Sequence, residues 1–209
     1  MSNKHNSPYS AAITGGGFLF EETNNILPLL MHPDGKEMIK EEIVKNEILK
    51  MNTERTRKLA VTEIVRRYNA MPVSFWNDYK EMSDDDKQIA LFFVILKTYK
   101  ICFDFHVNVT MRKWNSISKQ VSHEDIMMEF NEISANDAFV DSWSESTKKN
   151  VASAYLTILR KVGILSAKGS LSSASCSNFG YYLEIGEPWF LDACLLYPYQ
   201  IDNIKKSLL

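Results

Sequence analysis

The segment WSESTKKNVASAYLTILRKVGIL, residues 143 to 165, predicts one helix with a defined start, face and end. Ser144 is a favourable N-cap residue, because its hydroxyl can accept a hydrogen bond from the free amides of the first turn. Gly163 is typical of the position just after a helix, where the backbone turns left-handed. Between them, apolar side chains recur at the spacing of an amphipathic helix. They are Val151, Tyr155, Ile158 and Val162.

The opposite face of this helix is polar and cationic. It carries hydroxyl, amide and basic side chains, and no carboxylate follows Glu145 before the helix ends. Such a face suits contacts with the phosphate groups and base edges of a nucleic acid. An ordinary solvated helix face has the same composition, so this alternative stays open.

A second segment of the chain repeats the pattern. TERTRK, residues 53 to 58, matches SESTKK, residues 144 to 149. In this register, Arg55, Lys58, Thr62 and Arg66 correspond to Ser146, Lys149, Ser153 and Thr157. A shorter helix, rich in acidic and apolar residues, is predicted before each segment, at residues 36 to 49 and 123 to 134. A short helix, a connection and a longer capped helix with a basic outer face form the outline of a helix-turn-helix.

The composition is that of a globular protein and not of a polycation. The 209 residues are 45% hydrophobic, which is enough for one large domain or two small ones. The formal net charge of −2 excludes a histone-like protein but permits a local basic patch. Residues 122 to 145 contain seven acids and no Lys or Arg, whereas residues 148 to 168 contain five Lys or Arg and no acid. This segregation favours a basic surface at the second repeat, although helix-dipole and solubility effects would produce part of it.

Cysteine and histidine usage predicts neither a disulfide framework nor a zinc site. The three cysteines and four histidines are scattered, and no CxxC pair occurs. Asp84, Asp85 and Asp86 follow Ser83 and are typical of a helix start, while a metal site is the alternative for such a triplet. We therefore expect no metal and no cofactor. The polar first residues and the lack of an apolar run of about 20 residues predict a soluble, cytoplasmic protein without a membrane span.

The sequence divides into a leader and two helical lobes within one compact unit. Residues 1–13 are predicted to form a flexible leader, residues 14–80 an N-terminal lobe with the first helix-turn-helix, and residues 81–209 a C-terminal lobe with the second. The glycines of TGGGF lack the Lys-Ser/Thr pair of a phosphate loop, so Thr14 or a glycine is predicted to cap a helix. The run IALFFVIL, residues 89 to 96, predicts a central buried helix.

These patterns predict an all-α fold, a compact helical bundle containing two helix-turn-helix units. Residues 164 to 185 are the exception, because they are rich in Ser and Gly and lack helical periodicity. They predict a loop or a small hairpin, at the place where a winged helix has its wing. No serine-nucleophile, Walker, zinc-protease or dinucleotide motif occurs, so a non-enzymatic role is favoured over catalysis.

Three segments of the sequence resemble the BrxA family, a core component of bacterial BREX phage-exclusion systems. They are YSAAITGGGFLFEET (residues 9 to 23), WSESTKKN (143 to 150) and LRKVGIL (159 to 165). The resemblance implies a mostly α-helical protein with two helix-turn-helix units that binds double-stranded DNA. It also implies partners, namely an adenine-specific DNA methyltransferase, a large ATPase, a phosphatase-like protein and a protease-like protein. None of the three segments is catalytic.

Applied to this sequence, the resemblance implies that the DNA-contacting helices are residues 53 to 70 and 144 to 162. Arg can read guanine or bind phosphate, whereas Lys and hydroxyl side chains more often position the backbone. The candidate DNA-contacting residues are Arg55, Thr56, Arg57, Lys58, Thr62, Arg66, Ser146, Thr147, Lys148, Lys149, Ser153 and Arg160. Among them, Arg57 lies closest to the apolar side of its helix. The alternative function is an assembly adaptor that docks other BREX proteins without reading DNA.

Overall fold

The computed structural model of the chain describes residues 6 to 208, and its regular structure is helical. The first elements are a 3₁₀ turn (Ala12–Gly15), α1 (Phe20–Leu30), α2 (Gly35–Lys45), α3 (Glu54–Asn69) and α4 (Val73–Glu81). Next come α5 (Asp84–Thr98), α6 (Lys100–Phe105), a π-helical segment (His106–Met111) and α7 (Arg112–Trp114). The last are α8 (His123–Asn136), α9 (Ala138–Asp141), α10 (Glu145–Lys161), α11 (Gly180–Glu184), α12 (Trp189–Ala193) and α13 (Pro198–Ser207). The predicted all-α class is therefore confirmed.

Helix α5 is the centre of the larger apolar core. Its start is fixed by Ser83, whose hydroxyl accepts a hydrogen bond from the amide of Asp86 at 3.2 Å. Residues 89 to 96 follow, and each is at most 2% exposed, so every face of this stretch packs against protein. A helix that is apolar on all sides belongs in a core, and the predicted burial of this run is confirmed.

The buried apolar residues form two clusters. The larger one surrounds α5 and extends from Ile13 to Leu196. The smaller one lies among α1, α2 and α3 and consists of Leu19, Ile26, Ile39, Leu49, Ala60, Val61 and Ile64. Phe75, Trp76 and Tyr79 of α4 pack in the larger cluster. The smaller cluster therefore draws only on residues between Leu19 and Ile64, whereas the larger one also includes Ile13, Phe18 and Leu27 from the N-terminal part of the chain.

The predicted flexible leader is wrong for residues 9 to 13, while residues 1 to 5 lie outside the described part. The Tyr9 hydroxyl donates to a carboxylate oxygen of Asp104 at 2.7 Å, and Ile13 is completely buried. The prediction of a helix capped by Thr14 is also wrong, because Thr14 lies in the 3₁₀ turn. Helix α1 starts only after Leu19, whose backbone adopts a left-handed conformation with φ 51°.

A small hairpin follows α10, as the composition of residues 164 to 185 predicts. Leu165 pairs with Leu171, and Ser170 pairs in turn with Gln120 from the segment before α8, both in antiparallel orientation. The Leu171 amide donates to the Lys119 carbonyl at 2.8 Å, which fixes the third segment against the hairpin. The extended structure does not reach residue 185, because α11 occupies Gly180–Glu184.

A buried polar network crosses the larger core. His106 is completely buried, and its Nε2–H donates to the carbonyl of Ala193 at 2.7 Å. Its Nδ1 atom therefore accepts from the Tyr155 hydroxyl at 2.9 Å, and the Tyr155 oxygen accepts from the Thr110 hydroxyl at 2.6 Å. Burial lowers the pKa of His106 to about 4, although the Ala193 carbonyl opposes this shift. The neutral imidazole thus links the π-helical segment to α10 and α12.

We predict that this histidine makes the fold sensitive to acid. Between about pH 4 and about pH 6.5 the unfolded chain binds a proton at His106 and the folded chain does not. The free energy of unfolding should therefore fall as the pH falls through this window, by up to about 3 kcal/mol from this group. Urea denaturation at several pH values measures the slope. A His106→Gln variant with the same slope as the wild type would contradict the assignment.

Candidate nucleic-acid interface

The two candidate helices begin with the same cap. The Thr53 hydroxyl accepts from the Thr56 amide at 3.1 Å, and the Ser144 hydroxyl accepts from the Thr147 amide at 3.1 Å. In each helix the side chain four positions after the cap, Arg57 or Lys148, is buried, and the next residue, Lys58 or Lys149, is exposed. The predicted cap at Ser144 is confirmed, and Thr53 holds the matching position in the first repeat.

The helix before α3 ends earlier than predicted. Helix α2 stops at Lys45, not at residue 49, because Asn46 turns left-handed with φ 56°. The Asn46 side chain accepts from the Met51 amide and donates to the Met51 carbonyl, both at 2.9 Å. Glu42 accepts from the amides of Ile48 and Leu49 at 3.0 and 2.8 Å. The connection into α3 is therefore a rigid loop that positions the start of the helix.

The connection into α10 has a different construction. Helix α8 starts at Ser122 with reciprocal bonds to Asp125, in which each residue's backbone amide donates to the other's side chain. Helix α9 follows, and Asp137 caps it by accepting from the Val140 amide at 2.9 Å. Trp143 then packs edge-on against Phe139 just before α10 begins. A short helix thus lies where the first unit has a loop.

Two predicted DNA contacts are wrong, because Arg57 and Lys148 are buried at 8% and 6% exposure. They occupy the same position of the two repeats. Arg57 donates from Nε to the Ile43 carbonyl at 2.7 Å and from a terminal nitrogen to the Met51 carbonyl at 2.9 Å. Lys148 lies 3.8 Å from the Glu145 carboxylate. Arg57 thereby fastens α3 to the end of α2, and neither cation faces solvent.

We predict that Arg57→Ala destabilises the fold by about 2–3 kcal/mol, because two carbonyl groups would lose a charged donor. Urea denaturation gives this difference. Lys58→Ala is the matched control, since Lys58 is an exposed neighbour and its loss should change the stability by less than about 1 kcal/mol. Equal losses in the two variants would show that the Arg57 bonds do not contribute as described.

The outward face of α3 carries paired cations. Lys58 forms an ion pair with Glu54 at 2.5 Å, and Arg66 forms one with Glu63 at 3.2 Å. The hydrogen bond from Lys58 lowers the pKa of the Glu54 carboxyl. Arg55 is exposed, and within residues 6 to 208 it has no carboxylate at ion-pair distance. Much of the positive charge on α3 is therefore offset by acids of the same helix.

The hydroxyl groups on this face are already engaged. The Thr62 hydroxyl donates to the Lys58 carbonyl at 2.7 Å, and Thr56 shares a 2.8 Å bond with the Thr53 cap. A hydroxyl has one proton, so Thr62 cannot also donate to a phosphate oxygen while this bond persists. The structure places both threonines on the surface, but it restricts Thr62 to accepting or to apolar contact.

The outward face of α10 carries more available charge. Ser146, Lys149, Ser153 and Arg160 are exposed, while Thr147 is half-buried beside the cap. In the described part of the chain, neither Lys149 nor Arg160 has a carboxylate within ion-pair distance. With the exposed Thr157 between Ser153 and Arg160, these residues form one polar line along the helix, because they recur every three to four positions. The structure therefore brings together the predicted residues of α10, apart from Lys148.

Two further residues belong to this surface. Lys168 is exposed at the turn of the hairpin, next to Gly169, whose φ of 84° suits a tight turn. Asn150 is exposed on α10 beside Lys149. The acid-free run from residue 148 to 168 includes Lys168, so the sequence pattern could have indicated this residue. Only the structure shows that it lies at the turn of the hairpin, after the end of α10.

One cavity lies away from these two helices and has the opposite charge. It has a volume of about 630 Å³ and lies among α4, α5 and α11. Four carboxylates line it, from Asp78, Glu81, Asp86 and Glu184. Asp86 is held by the amide and hydroxyl of Ser177, and hydrogen bonds from this residue help to lower the pKa of Asp86 against the effect of burial. Such a lining repels phosphate groups, so this cavity is no part of the basic surface.

Neither a metal centre nor a membrane span is found in the described residues. No group of three or more His, Cys, Asp or Glu side chains there has the arrangement needed to hold a metal ion. None of the helices between residues 6 and 208 is long and apolar enough to cross a bilayer.

The fold and the two basic helices define a class, an all-helical protein with two capped, outward-facing basic helices and a hairpin after the second. The chain belongs to the BrxA family, whose model matches residues 7–177. Membership of this family identifies the chain as a component of a BREX phage-defence system. The resemblance that the sequence carries is thus confirmed.

One solved structure extends this comparison. The crystal structure of an uncharacterized protein from Magnetospirillum magneticum matches with a TM-score of 0.73 and 20% sequence identity. The match covers 90% of this chain and 98% of that chain, and at this identity it shows a shared fold alone. A comparison with the curated proteins gives no match.

Proposed function

We propose that this protein is a non-enzymatic component of its BREX system that binds double-stranded DNA through the outer faces of α3 and α10. The observation that carries the proposal is the repeated geometry. Both helices start at a hydroxyl cap and bury a cation at the same position of the repeat. Both also carry exposed cations no more than four positions away from the buried one. The chain as a whole has a net charge of −2, so these cations are not part of a general positive surplus.

The second unit supplies additional support. Helix α8 packs on α10, and α10 leads into a hairpin flanked by the segment that precedes α8. This order is the outline of a winged helix, in which the second helix enters the major groove and the wing lies against the backbone. Lys168 would then contact phosphate from the hairpin, while Asn150 and Ser153 face base edges. The first unit has the same helix pair but no hairpin after α3.

The phosphate contacts should dominate affinity. Each neutralised phosphate releases counterions, so the logarithm of the binding constant should fall with the logarithm of salt with a slope of about −0.9 per contact. Because Lys58 and Arg66 must leave Glu54 and Glu63 to reach phosphate, α3 should contribute less than α10.

We predict that Lys149→Ala with Arg160→Ala weakens binding to unrelated duplexes and flattens the salt slope by about two contacts. The triple replacement of Arg55, Lys58 and Arg66 with Ala should have a smaller effect, and the two sets together should abolish binding. Fluorescence anisotropy of a labelled duplex at several salt concentrations measures both quantities, and circular dichroism shows whether the variants fold.

A charge-matched control separates this surface from the overall charge. Lys80→Ala with Lys205→Ala removes two exposed cations from α4 and α13, and should leave affinity and slope unchanged. Glu54→Gln should raise affinity, because it frees Lys58 and removes an opposing charge. If the folded combined variant binds DNA as tightly as the wild type, this surface is not the DNA site.

The alternative proposal is an assembly adaptor, in which the same cations dock an acidic BREX protein. The methyltransferase, the ATPase, the phosphatase-like protein and the protease-like protein are the proposed partners in either case, in the cytoplasm. The adaptor proposal requires that purified wild-type protein does not bind duplex DNA at low salt. Salt-dependent duplex binding would favour the DNA proposal.

A further inference from the structure

An apolar side chain lies in the middle of the outward face of α3. Leu59 is 47% exposed, although it stands between Arg55 and Arg66 on the line of residues that faces away from the protein. Residues 55, 59, 62 and 66 are spaced by four, three and four positions, so they form one row along the helix. Along the helix, the row therefore consists of a cation, an apolar residue, a threonine and a second cation.

Leu59 lies outside the buried face of α3, next to Glu63 at its edge. The buried residues of α3 are Arg57, Ala60, Val61, Glu63, Ile64 and Arg67. At about 100° per residue, Leu59 points away from the centre of this buried face. A leucine at the edge of an amphipathic helix often shields its own core, but Leu59 is not among the apolar residues that pack on either cluster in the described part of the chain.

Thr62 extends this apolar element by one position. Its hydroxyl donates to the Lys58 carbonyl of the preceding turn at 2.7 Å, so the γ-methyl group is the unengaged part of an exposed side chain. Leu59 and Thr62 are three residues apart and are neighbours on the helix surface. Together they form a two-residue methyl surface with a cation at each end.

The equivalent position in the second helix is polar. The shared register places Leu59 opposite Asn150, just as it places the buried Arg57 opposite Lys148. The row on α10 runs through Ser146, Asn150, Ser153, Thr157 and Arg160, with hydrogen-bonding groups throughout. The two helices therefore share a scaffold but offer different chemistry at the centre of the outward face.

We propose that Leu59, with the Thr62 methyl group, contacts the C5-methyl group of a pyrimidine in the major groove of duplex DNA. The inference rests on the proposed function of α3, and it assigns that helix a preference for thymine. The thymine methyl is the only apolar group that a base pair of unmodified DNA presents in the major groove, and apolar side chains read it by contact. The flanking Arg55 and Arg66 complement the phosphates on either side, which favours DNA over an apolar protein partner as the occupant.

The test compares duplexes that differ only in this methyl group. An alternating dA–dT duplex and its dA–dU analogue have the same hydrogen-bonding groups, but uracil lacks the C5 methyl. Burial of one methyl contributes about 0.8 kcal/mol, so the wild type should bind the dA–dT duplex about fourfold more tightly. An alternating dG–dC duplex should gain similarly when 5-methylcytosine replaces cytosine, since that methyl occupies the same groove position.

The variants assign this preference to the side chain. Leu59→Ala should bring the ratio of the two affinities close to one, and Leu59→Met should retain most of it. Val73→Ala is the matched control, because it removes a similarly exposed apolar side chain, at 57% exposure, from the start of α4. It should leave the ratio unchanged. Anisotropy competition at a fixed salt concentration provides each ratio.

Each outcome distinguishes this inference from the proposed function. Salt-dependent binding with equal affinity for the dA–dT and dA–dU duplexes would overturn methyl reading and leave DNA binding intact. A preference that persists in Leu59→Ala would overturn the role of Leu59, as would an equal loss of affinity for both duplexes. If the wild type binds no duplex at low salt, both proposals fail, and Leu59 becomes a candidate for a protein contact.

Discussion

The buried guanidinium of Arg67 joins the two parts of this fold. It is fully buried at the end of α3 and donates to the carbonyls of Gly17 and Phe18, the first at the glycine-rich turn and the second just after it. It also donates to the Tyr99 hydroxyl at 3.1 Å, and that hydroxyl donates to the Glu63 carboxylate at 2.8 Å. A buried cation requires such a full set of acceptors and a nearby opposite charge. Helix α3 is therefore fixed to the larger core, although its own apolar face packs in the smaller one.

This arrangement sets the relation between the two candidate helices. The 3₁₀ turn Ala12–Gly15 contacts both α3 and α10, so one short segment bridges them. A Cβ atom at Gly16 would lie too close to the end of the Leu19 side chain, which would have to move. Gly17 adopts φ 60°, where residues with a side chain are strained. The glycine-rich turn thus redirects the backbone before α1, and its Gly17 carbonyl accepts from the buried Arg67.

The sequence predicts those features that depend on neighbours in the chain. The hydroxyl caps at Thr53 and Ser144, the burial of α5 and the hairpin after Gly163 all follow from local spacing. The burial of Arg57 does not, because its acceptors are carbonyls at Ile43 and in the loop before α3. The helical periodicity predicts that this arginine lies near the apolar side of α3, but it does not show that backbone carbonyl oxygens are there to accept its hydrogen bonds. The order of the N-terminal segment likewise depends on Tyr9 reaching Asp104, a contact across the whole first half of the chain.

The two repeats therefore have one scaffold and two surface chemistries. Each holds its cap and its buried cation, and these positions do not vary in character because the fold requires them. The outward positions are free of that requirement, and they differ. Helix α3 pairs Lys58 and Arg66 with Glu54 and Glu63 and exposes Leu59. Within residues 6 to 208, Lys149 and Arg160 of α10 have no such partners. Of these two ion pairs, Lys58–Glu54 is exposed and contributes little to stability, whereas Arg66–Glu63 uses a buried carboxylate that also accepts from Tyr99. Both ion pairs lower the electrostatic attraction of α3 for polyanions. Under the proposed function, α10 and the hairpin would supply the charge that holds a duplex, and α3 would discriminate among sequences through contacts at short range.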